Sequence, residues 1–439
     1  MENSMRLFAF AKIFKPLGLA ALLVNPGFAQ VNGAPPNDGR TRGVAEEPAV
    51  MTLRAAEDLA LLSNPDLAVA TRELEATEGA VIQGAARPNP QLGFLLEDTR
   101  KATRTTTLQL DQPIELGGKR SARLDAAVRG RDIAVVELDL RRAEVRALVA
   151  ANFFDVLSAQ ERVQLAKDVA NLAKRATEVA AKRVASGKVP PLEETKARVA
   201  EANVRLDLSL AQSELRTARQ RLGSTWGNPS PRFERADGRL EPLPVLPSAE
   251  SLNARLAESP HLKRAKIEIQ RRKALADLER AKRTPDLTVS LGAIRSEELS
   301  RNQLLLGVSI PIPVWDSNRG NQIEALKRTD KARDELAATQ IRLTSEVRQA
   351  YERLRAARNE VETLQRDVLP GAQSAYDVAI RGFELGKFNF LDVLDAQRTL
   401  FQAKSQNLRS VAEAHRAGAE IDLLLADTTT FSTSPAAKP

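Results

Sequence analysis

The acidic residues with the most distinctive placement follow two Gly-Lys pairs, each at the end of a long helix-forming run. Asp392 and Asp395 come after Gly386-Lys387, and Glu193 comes after Gly187-Lys188. Glu193 and Asp392 each lie six residues beyond the glycine. On spacing alone, the simpler interpretation is that Asp392 lies in the first turn of a helix. A carboxylate there is stabilised by the helix dipole by roughly 0.3–1 kcal/mol.

No combination of residue types in the chain predicts catalysis or metal binding. The two histidines, His261 and His415, are far apart and lie in no metal-ligand spacing, so surface or helix-packing positions are expected. The methionines are Met1, Met5 and Met51, and there is no cysteine. Thiolate sites and a relay of soft ligands are therefore excluded. The sequence predicts no enzymatic activity, no catalytic residue, no cofactor and no bound metal.

The charge distribution indicates solvated helix faces. The formal net charge is +8, but the 65 basic and 57 acidic residues are interleaved along the chain. Nucleic-acid binding would need a clustered basic stripe with aromatic partners, and aromatic residues make up only 4%. No nucleic-acid partner is therefore predicted. A composition dominated by Ala, Leu, Arg, Glu and Val favours long helices packed side by side.

The chain repeats itself with an offset of roughly two hundred residues. The matching segments are Asn64-Pro65-Asp66-Leu67 with Ser259-Pro260-His261-Leu262, Arg87-Pro88 with Arg283-Thr284-Pro285, Gln112-Pro113-Ile114 with Ile310-Pro311-Ile312, and Ala185-Ser186-Gly187-Lys188 with Glu384-Leu385-Gly386-Lys387. The predicted domains are a first repeat at 49–226, a linker at 227–248 and a second repeat at 249–426. The sequence therefore predicts a duplicated helix–hairpin–helix unit.

Within each repeat, periodicity and breakers predict a short helix, a β-hairpin, a very long helix and a return helix. In the first repeat the short helix is expected at 52–86, the hairpin strands at 91–98 and 105–114, the long helix at 121–186 and the return helix at 192–222. In the second repeat the short helix is expected at 249–282, the hairpin strands at 286–294 and 303–312, the long helix at 321–385 and the return helix at 391–426. The two predicted hairpins span about 91–114 and 286–312, and the predicted tip turns lie at about 187–191 and 386–390. A helix of 66 residues would be about 100 Å long. Pro370-Gly371 predicts a kink in the second long helix.

The strands predict a membrane barrel shared between copies of the chain. Each strand has about nine residues and alternates apolar with small or polar side chains, as membrane strands do. Four strands cannot close a barrel, whereas three copies would supply about twelve. A water-exposed ribbon on a coiled-coil rod is the alternative interpretation.

The chain termini carry processing and linker signals. Arg6, Lys12 and Lys15 precede a short apolar run, and Gly27-Phe28-Ala29 matches a cleavage pattern. A signal peptide at 1–29, a disordered lead at 30–48 and a disordered tail at 427–439 are predicted.

The chain resembles the TolC-like outer-membrane factor family over essentially its whole mature length. The segment Gln112-Pro113-Ile114-Glu115-Leu116-Gly117-Gly118-Lys119-Arg120, with the upstream Arg87-Pro88-Asn89-Pro90, is similar to the CzcC-type subgroup for heavy-metal cation efflux. The resemblance implies an α+β membrane protein: a homotrimer with a twelve-stranded outer-membrane β-barrel, continued by a long periplasmic α-helical barrel. It implies outer-membrane lipid, a periplasmic adaptor and an inner-membrane resistance-nodulation-division pump as partners. The implied location is the outer membrane of a Gram-negative bacterium, with a large periplasmic portion.

The same resemblance assigns roles to the acidic residues. In the family, aspartates at the helical tip form a ring that narrows the tunnel, and Asp392 and Asp395 match them, with Glu193 as the first-repeat equivalent. In a trimer, Asp392 and Asp395 would place six carboxylates around one axis. Such a ring favours cations over anions.

The tip turns are implied to meet the adaptor. They are Gly187-Lys188 and Gly386-Lys387, whose glycines are expected at positive φ, together with Phe383 and Phe388. Family members that lock the tip use a tyrosine and an arginine where this chain has Phe383 and Phe388, so the polar latch is absent.

A strand-to-helix motif is predicted at the other end of each repeat. Its members are Pro113, Gly117, Gly118, Pro311 and Pro313. Trp315, just beyond a predicted strand, fits either the aromatic belt of a membrane interface or ordinary packing.

The predicted function is an outer-membrane exit duct for divalent heavy-metal cations such as cobalt, zinc or cadmium. A general multidrug or protein-export duct is the alternative within the same fold. A periplasmic coiled-coil adaptor without a barrel is the alternative from another class.

Overall fold

The computed structural model describes residues 49–385 and 387–426, which are mostly helical. The helices are α1 Leu53–Ser63, α2 Pro65–Ala85, α3 Lys119–Ala185, α4 Pro191–Ser224, α5 Ala249–Ala257, α6 Pro260–Ala281, α7 Arg319–Thr363, α8 Leu369–Glu384 and α9 Phe390–Leu425. The strands are β1 Val50–Met51, β2 Gln91–Glu97, β3 Thr105–Ile114, β4 Arg235–Ala236, β5 Leu287–Ser296 and β6 Arg301–Ser309. The predicted signal peptide, lead and C-terminal tail lie outside the described residues, as does Gly386.

None of the described helices combines the length and the apolar character that crossing a membrane requires.

Prolines divide the first helix of each half, so the prediction of single helices at 52–86 and 249–282 was wrong. The Asn64 side chain accepts a hydrogen bond from the Leu67 N–H (3.0 Å), and Pro65 is the first residue of α2. Ser259 caps α6 in the same way, ahead of Pro260. Proline has no N–H to donate to the preceding turn, but at the first position of a helix none is needed. The repeated Pro therefore starts a second helix in each half.

The second long helix is interrupted before the proline that was expected to kink it. A π-helical segment, Leu364–Val368, separates α7 from α8, and Pro370 follows in the first turn of α8. The wider π-helical turn accommodates Pro370, which has no N–H to donate to the preceding turn.

The two hairpins join into one antiparallel sheet of order β2-β3-β5-β6. The central pairing aligns Leu108 with Ala293 and Leu110 with Leu291. Strand β3 has the predicted bounds, but β6 ends at Ser309 rather than at the predicted 312. The physical reason is that Pro311 and Pro313 cannot donate to a strand ladder.

The sheet has one apolar face along its whole width. By register and alternation, this face carries Leu92, Phe94, Leu96, Leu108, Leu110, Val289, Leu291, Leu304, Leu306 and Val308. Leu304, Leu306 and Val308 are each 72% exposed. On the opposite face the Ser290 hydroxyl and the Gln109 amide both donate to the Asp111 carboxylate. The predicted alternation of apolar and polar side chains is confirmed.

Each half packs around its own core. In the first, α1, α3 and α4 meet the short β1–β4 pair around Met51, Phe153, Leu222 and Trp226. In the second, α5, α6, α7 and α9 enclose a cluster that contains Leu354 and Ile421, among others. These cores position the long helices from which both tips project.

His415 of α9 lies between the two halves and is almost fully buried. Its ring stacks on Phe154 of α3 at 3.6 Å between centroids, and Nε2 donates to the Leu240 carbonyl at 2.7 Å. Burial lowers the pKa of His415, because the charged imidazolium would lose its hydration, while the bond to Leu240 acts in the opposite direction.

The burial of His415 predicts that the folded protein loses stability in acid. The unfolded chain takes up the His415 proton at about pH 6.5, and the folded chain only at lower pH, so stability decreases as the pH falls below about 6.5. The loss is about 1.4 kcal/mol for each unit by which the pKa is lowered. Thermal unfolding of the purified protein across this pH range measures it. His415→Gln should flatten the acid decline, and an unchanged slope would contradict the assignment. Partial burial also lowers the pKa of His261, so His261→Gln should flatten the acid decline as well, and the double variant should flatten it most.

Candidate pore constriction and helical tips

The first tip turn is closed by backbone hydrogen bonds around a left-handed glycine. Gly187 has φ +71°, the Gly187 N–H donates to the Val184 carbonyl and the Lys188 N–H donates to the Arg183 carbonyl, both at 2.9 Å. This is the usual way to satisfy the last carbonyls of a helix, and it favours glycine because a side chain is strained at positive φ. The positive φ predicted for Gly187 is confirmed.

The second tip turn uses different contacts. The Lys387 and Phe388 N–H groups both donate to the Gly382 carbonyl, at 2.8 and 3.2 Å. The Phe388 ring lies so close to Gly382 that an added Cβ there would overlap it. Phe388 itself remains 44% exposed.

Asp392 caps the helix that follows. The Asn389 N–H donates to its Oδ2, and the Asp392 N–H donates to the Asn389 side chain, both at 3.0 Å. This reciprocal pair is a capping box, which satisfies two otherwise unpaired donors. The interpretation of Asp392 as a residue in the first turn of a helix is therefore correct, and the helix cap uses one of its two carboxylate oxygens. The side chain is nevertheless exposed, so its charge remains available to the surroundings.

Asp395 is exposed one turn further along α9. It lines a cleft of about 590 Å³ between α3, α4 and α9, together with Asp207, Arg398 and Phe401, among others. Glu193 occupies the first turn of α4 and is half-buried. The three predicted carboxylates thus lie near the starts of two different helices, α4 and α9.

Phe383 joins the two tips, and sequence reasoning did not identify its partner. Its ring packs with Ala180, Ala197 and Leu394. The Arg183 guanidinium lies 4.6 Å from the ring centroid, within the range of a cation–π interaction. The position of Arg183 in the sequence could have indicated this role, because Arg183 lies in the last turn of α3, four residues before Gly187 of the tip turn.

At the sheet end of the long helices, charged residues in or next to the strand-to-helix motif hold the end of α2. Arg123 forms an ion pair with Glu115 (2.6 Å) and donates to the Gly84 and Ala86 carbonyls at 3.1 and 2.8 Å. Arg120 adds a bond to the Ala85 carbonyl. The last carbonyls of a helix need such external donors. The segment after β3 therefore fixes where the helices meet the sheet.

The glycines of this motif permit a close approach between the two halves. Gly117 and Gly118 have φ +70° and +75°, and a Cβ on Gly117 would lie 2.7 Å from Thr284. Nearby, Lys119 pairs with Asp286 at 2.7 Å. Of the prolines in the predicted motif, Pro113 lies within β3, opposite Thr288 of β5, whereas Pro311 and Pro313 follow β6.

Across the described ranges, no group of three or more histidine, aspartate or glutamate side chains is arranged to hold a metal ion.

Comparison with known proteins identifies the family. The sequence profile described as outer membrane efflux protein matches residues 57–228 and 252–427. The chain belongs to this family. It is 47% identical over 418 residues to the cobalt-zinc-cadmium resistance protein CzcC of Cupriavidus metallidurans, covering 94% of this chain and 99% of that protein. The nickel and cobalt resistance protein CnrC of the same organism is 30% identical over 64% of this chain and 66% of its own.

The fold has solved counterparts. Crystal structures of CusC that concern folding and transmembrane channel formation superpose with a TM-score of 0.73 at 19% identity, covering 85% of this chain and 91% of that chain. The predicted family, with its CzcC-type subgroup, is confirmed, as are the outer-membrane location and the role in efflux. The helix-rich α+β fold is confirmed as well.

Proposed function

We propose that three copies of this chain form an outer-membrane exit duct for divalent heavy-metal cations, without enzymatic activity or a cofactor. The observation that carries the proposal is the four-stranded sheet, whose outer strands β2 and β6 have no further strand beside them among the described residues. An open edge in lipid leaves backbone groups unsatisfied, at several kcal/mol each. Three copies joined edge to edge would give a closed barrel of about twelve strands, with the apolar face outward.

Exposed apolar stripes on the helices support assembly below the sheet. Leu192, Val199 and Leu206 recur every seven residues along α4 and are 57–64% exposed. Val378 of α8 and Leu385, the residue just after that helix, form a similar pair. Seven-residue spacing is typical of a seam between long helices. A neighbouring copy that covers these stripes would continue the barrel as a helical tunnel.

The proposed cargo is supported by the relationship to CzcC, which extends over nearly the full length of both chains. Cobalt, zinc and cadmium are therefore the proposed cargo. A resistance-nodulation-division pump would supply the energy through a periplasmic adaptor that meets the tip turns. Asp392, Asp395 and Glu193 are the proposed constriction, where grouped carboxylates would raise the local cation concentration.

Oligomeric state and conductance test the proposal together. Detergent-extracted protein should have the mass of three chains, and in a planar lipid bilayer it should give small, cation-selective current steps. A chain that stays monomeric in detergent-free buffer and does not insert would contradict the duct and favour the adaptor interpretation. Trimers that conduct anions as readily as cations would retain the duct and exclude the acidic constriction.

A further inference from the structure

A groove with an excess of positive charge lies between α3, α4 and α9. Its volume is about 420 Å³. The charged side chains that line it are Arg162, Arg221, Arg409, Arg416, Asp155 and Glu214. Four arginines against two carboxylates leave an excess of two positive charges in each copy. These residues are called the arginine groove below.

Two of the arginines are held in place by carboxylates. Arg162 of α3 pairs with Glu214 of α4 at 2.7 Å. Arg416 of α9 pairs with Asp155 of α3 and with Glu413 of its own helix, both at 2.9 Å. A guanidinium carries five N–H donors, so these pairs fix the two side chains and leave donors for a further acceptor.

The other two arginines have no carboxylate partner within the described ranges. Arg221 on α4 and Arg409 on α9 are both exposed, and they line the groove from different walls. Arg409 donates from Nε to the Ser405 carbonyl of its own helix at 3.3 Å, which leaves its terminal nitrogens for a ligand. A planar guanidinium matches two oxygens of a phosphate or carboxylate, so arginines on two walls suit a small oxyanion.

The groove opens on the side of α3 that the rest of the chain leaves uncovered. Phe153 and Gln160 of α3 contact the layer formed by α1 and the β1–β4 pair. Arg162 is nine residues from Phe153, and at about 3.6 residues per turn it lies on the opposite side of the helix. In the proposed duct, a ring of about twelve helices roughly 10 Å apart encloses a lumen roughly 28 Å wide. Three copies of the covering layer would obstruct this lumen, so the layer belongs outside and the groove faces inward.

Along this side of α3 the charge changes sign toward the tip. In the cleft that Asp395 lines, Asp395 and Asp207 outnumber Arg398. Val169 of α3 lines the same cleft, and it lies seven residues from Arg162, on the same side of the helix. Cations that have passed the acidic residues would next meet the arginine groove. Three copies of the groove form a positive belt, which opposes cation flow unless an anion neutralises it.

We propose that the arginine groove binds a small multivalent oxyanion of the phosphate class, which neutralises the lumen wall for outgoing cations. This inference rests on the proposed duct. Arg221 and Arg409 bind the anion directly. Arg162 and Arg416 complete the site from positions that their carboxylate partners fix.

Titration calorimetry of the detergent-solubilised protein with inorganic phosphate tests the site. The wild type should bind phosphate, and Arg221→Gln/Arg409→Gln should weaken binding by about tenfold or more, because two charge-assisted contacts are lost. The control, Arg54→Gln/Arg216→Gln, removes the same charge from exposed positions. Arg54 lies on the covering helix α1, and Arg216 lies two residues from Glu214, on the opposite side of α4. The control should bind like the wild type, and equal weakening in both variants, or in neither, would overturn the site.

Reversal potentials in a planar bilayer test the neutralising role. At constant ionic strength, phosphate should raise the cation-to-anion permeability ratio of the wild type about threefold. Arg221→Gln/Arg409→Gln should show the raised ratio without phosphate and no further increase with it. A phosphate response that persists in this variant would overturn the role. Phosphate binding without conductance would retain the site but contradict its place in a duct, whereas conductance without phosphate binding would overturn the site alone.

Discussion

Leu306→Arg is expected to prevent stable insertion into the outer membrane, whereas Leu305→Arg, one residue away, is expected to be tolerated. Leu306 lies on the apolar face of β6, opposite Leu291, and is 72% exposed. Leu305 pairs with Gly292 and points to the other face. An arginine facing lipid near the bilayer centre costs about 2–4 kcal/mol, and the proposed trimer would carry three copies of the change. On the opposite face, which is proposed to line the lumen, the same side chain would reach water.

The adjacent pair is its own control, because charge, size and position along the strand are matched. The fraction of protein in the outer membrane, and its resistance to extraction by carbonate, are the measurements. Equal loss with both variants would mean that β6 is buried on both faces. Equal tolerance would contradict a lipid-facing sheet.

Replacing Asp392 and Asp395 by asparagine is expected to lower the cation-to-anion permeability ratio of the duct by about tenfold, since grouped charges at a narrow entrance set local ion concentrations. Asparagine is preferred to alanine at position 392. Its side-chain oxygen still accepts from the Asn389 N–H, so the helix cap is retained while the charge is lost. Reversal potentials under a salt gradient in a planar bilayer measure the ratio.

A second double variant, Asp367→Asn/Asp377→Asn, removes the same number of charges from exposed positions before the tip. It should leave the permeability ratio near that of the wild type. Equal effects of the two double variants would indicate that general surface charge, rather than a tip ring, sets selectivity. Glu193→Gln, added to the tip variant, should lower the ratio further if the first repeat contributes to the constriction.

The sequence by itself determined the elements and their pattern. Alternation along β3, β5 and β6 and the long uninterrupted run of α3 are local properties, so they can be recognised from neighbouring residues alone. The helix cap at Asp392 was predictable for the same reason, because its partner Asn389 is three residues away. The prediction of single helices at 52–86 and 249–282 was wrong, although Pro65 and Pro260 are landmarks of the sequence repeat. In each case the capping side chain before the proline allowed one helix to end and another to start.

Only the tertiary structure decided which distant groups meet. Arg183 lies against Phe383 across two hundred residues of chain. Arg123 reaches back to the end of α2, and His415 stacks on Phe154 while bonding to Leu240. It also decided that the two hairpins share one sheet through β3 and β5. Such contacts depend on the angles at which packed helices and strands leave their turns. Those angles are set by the sum of many core contacts, so they cannot be obtained from the periodicity of any single segment.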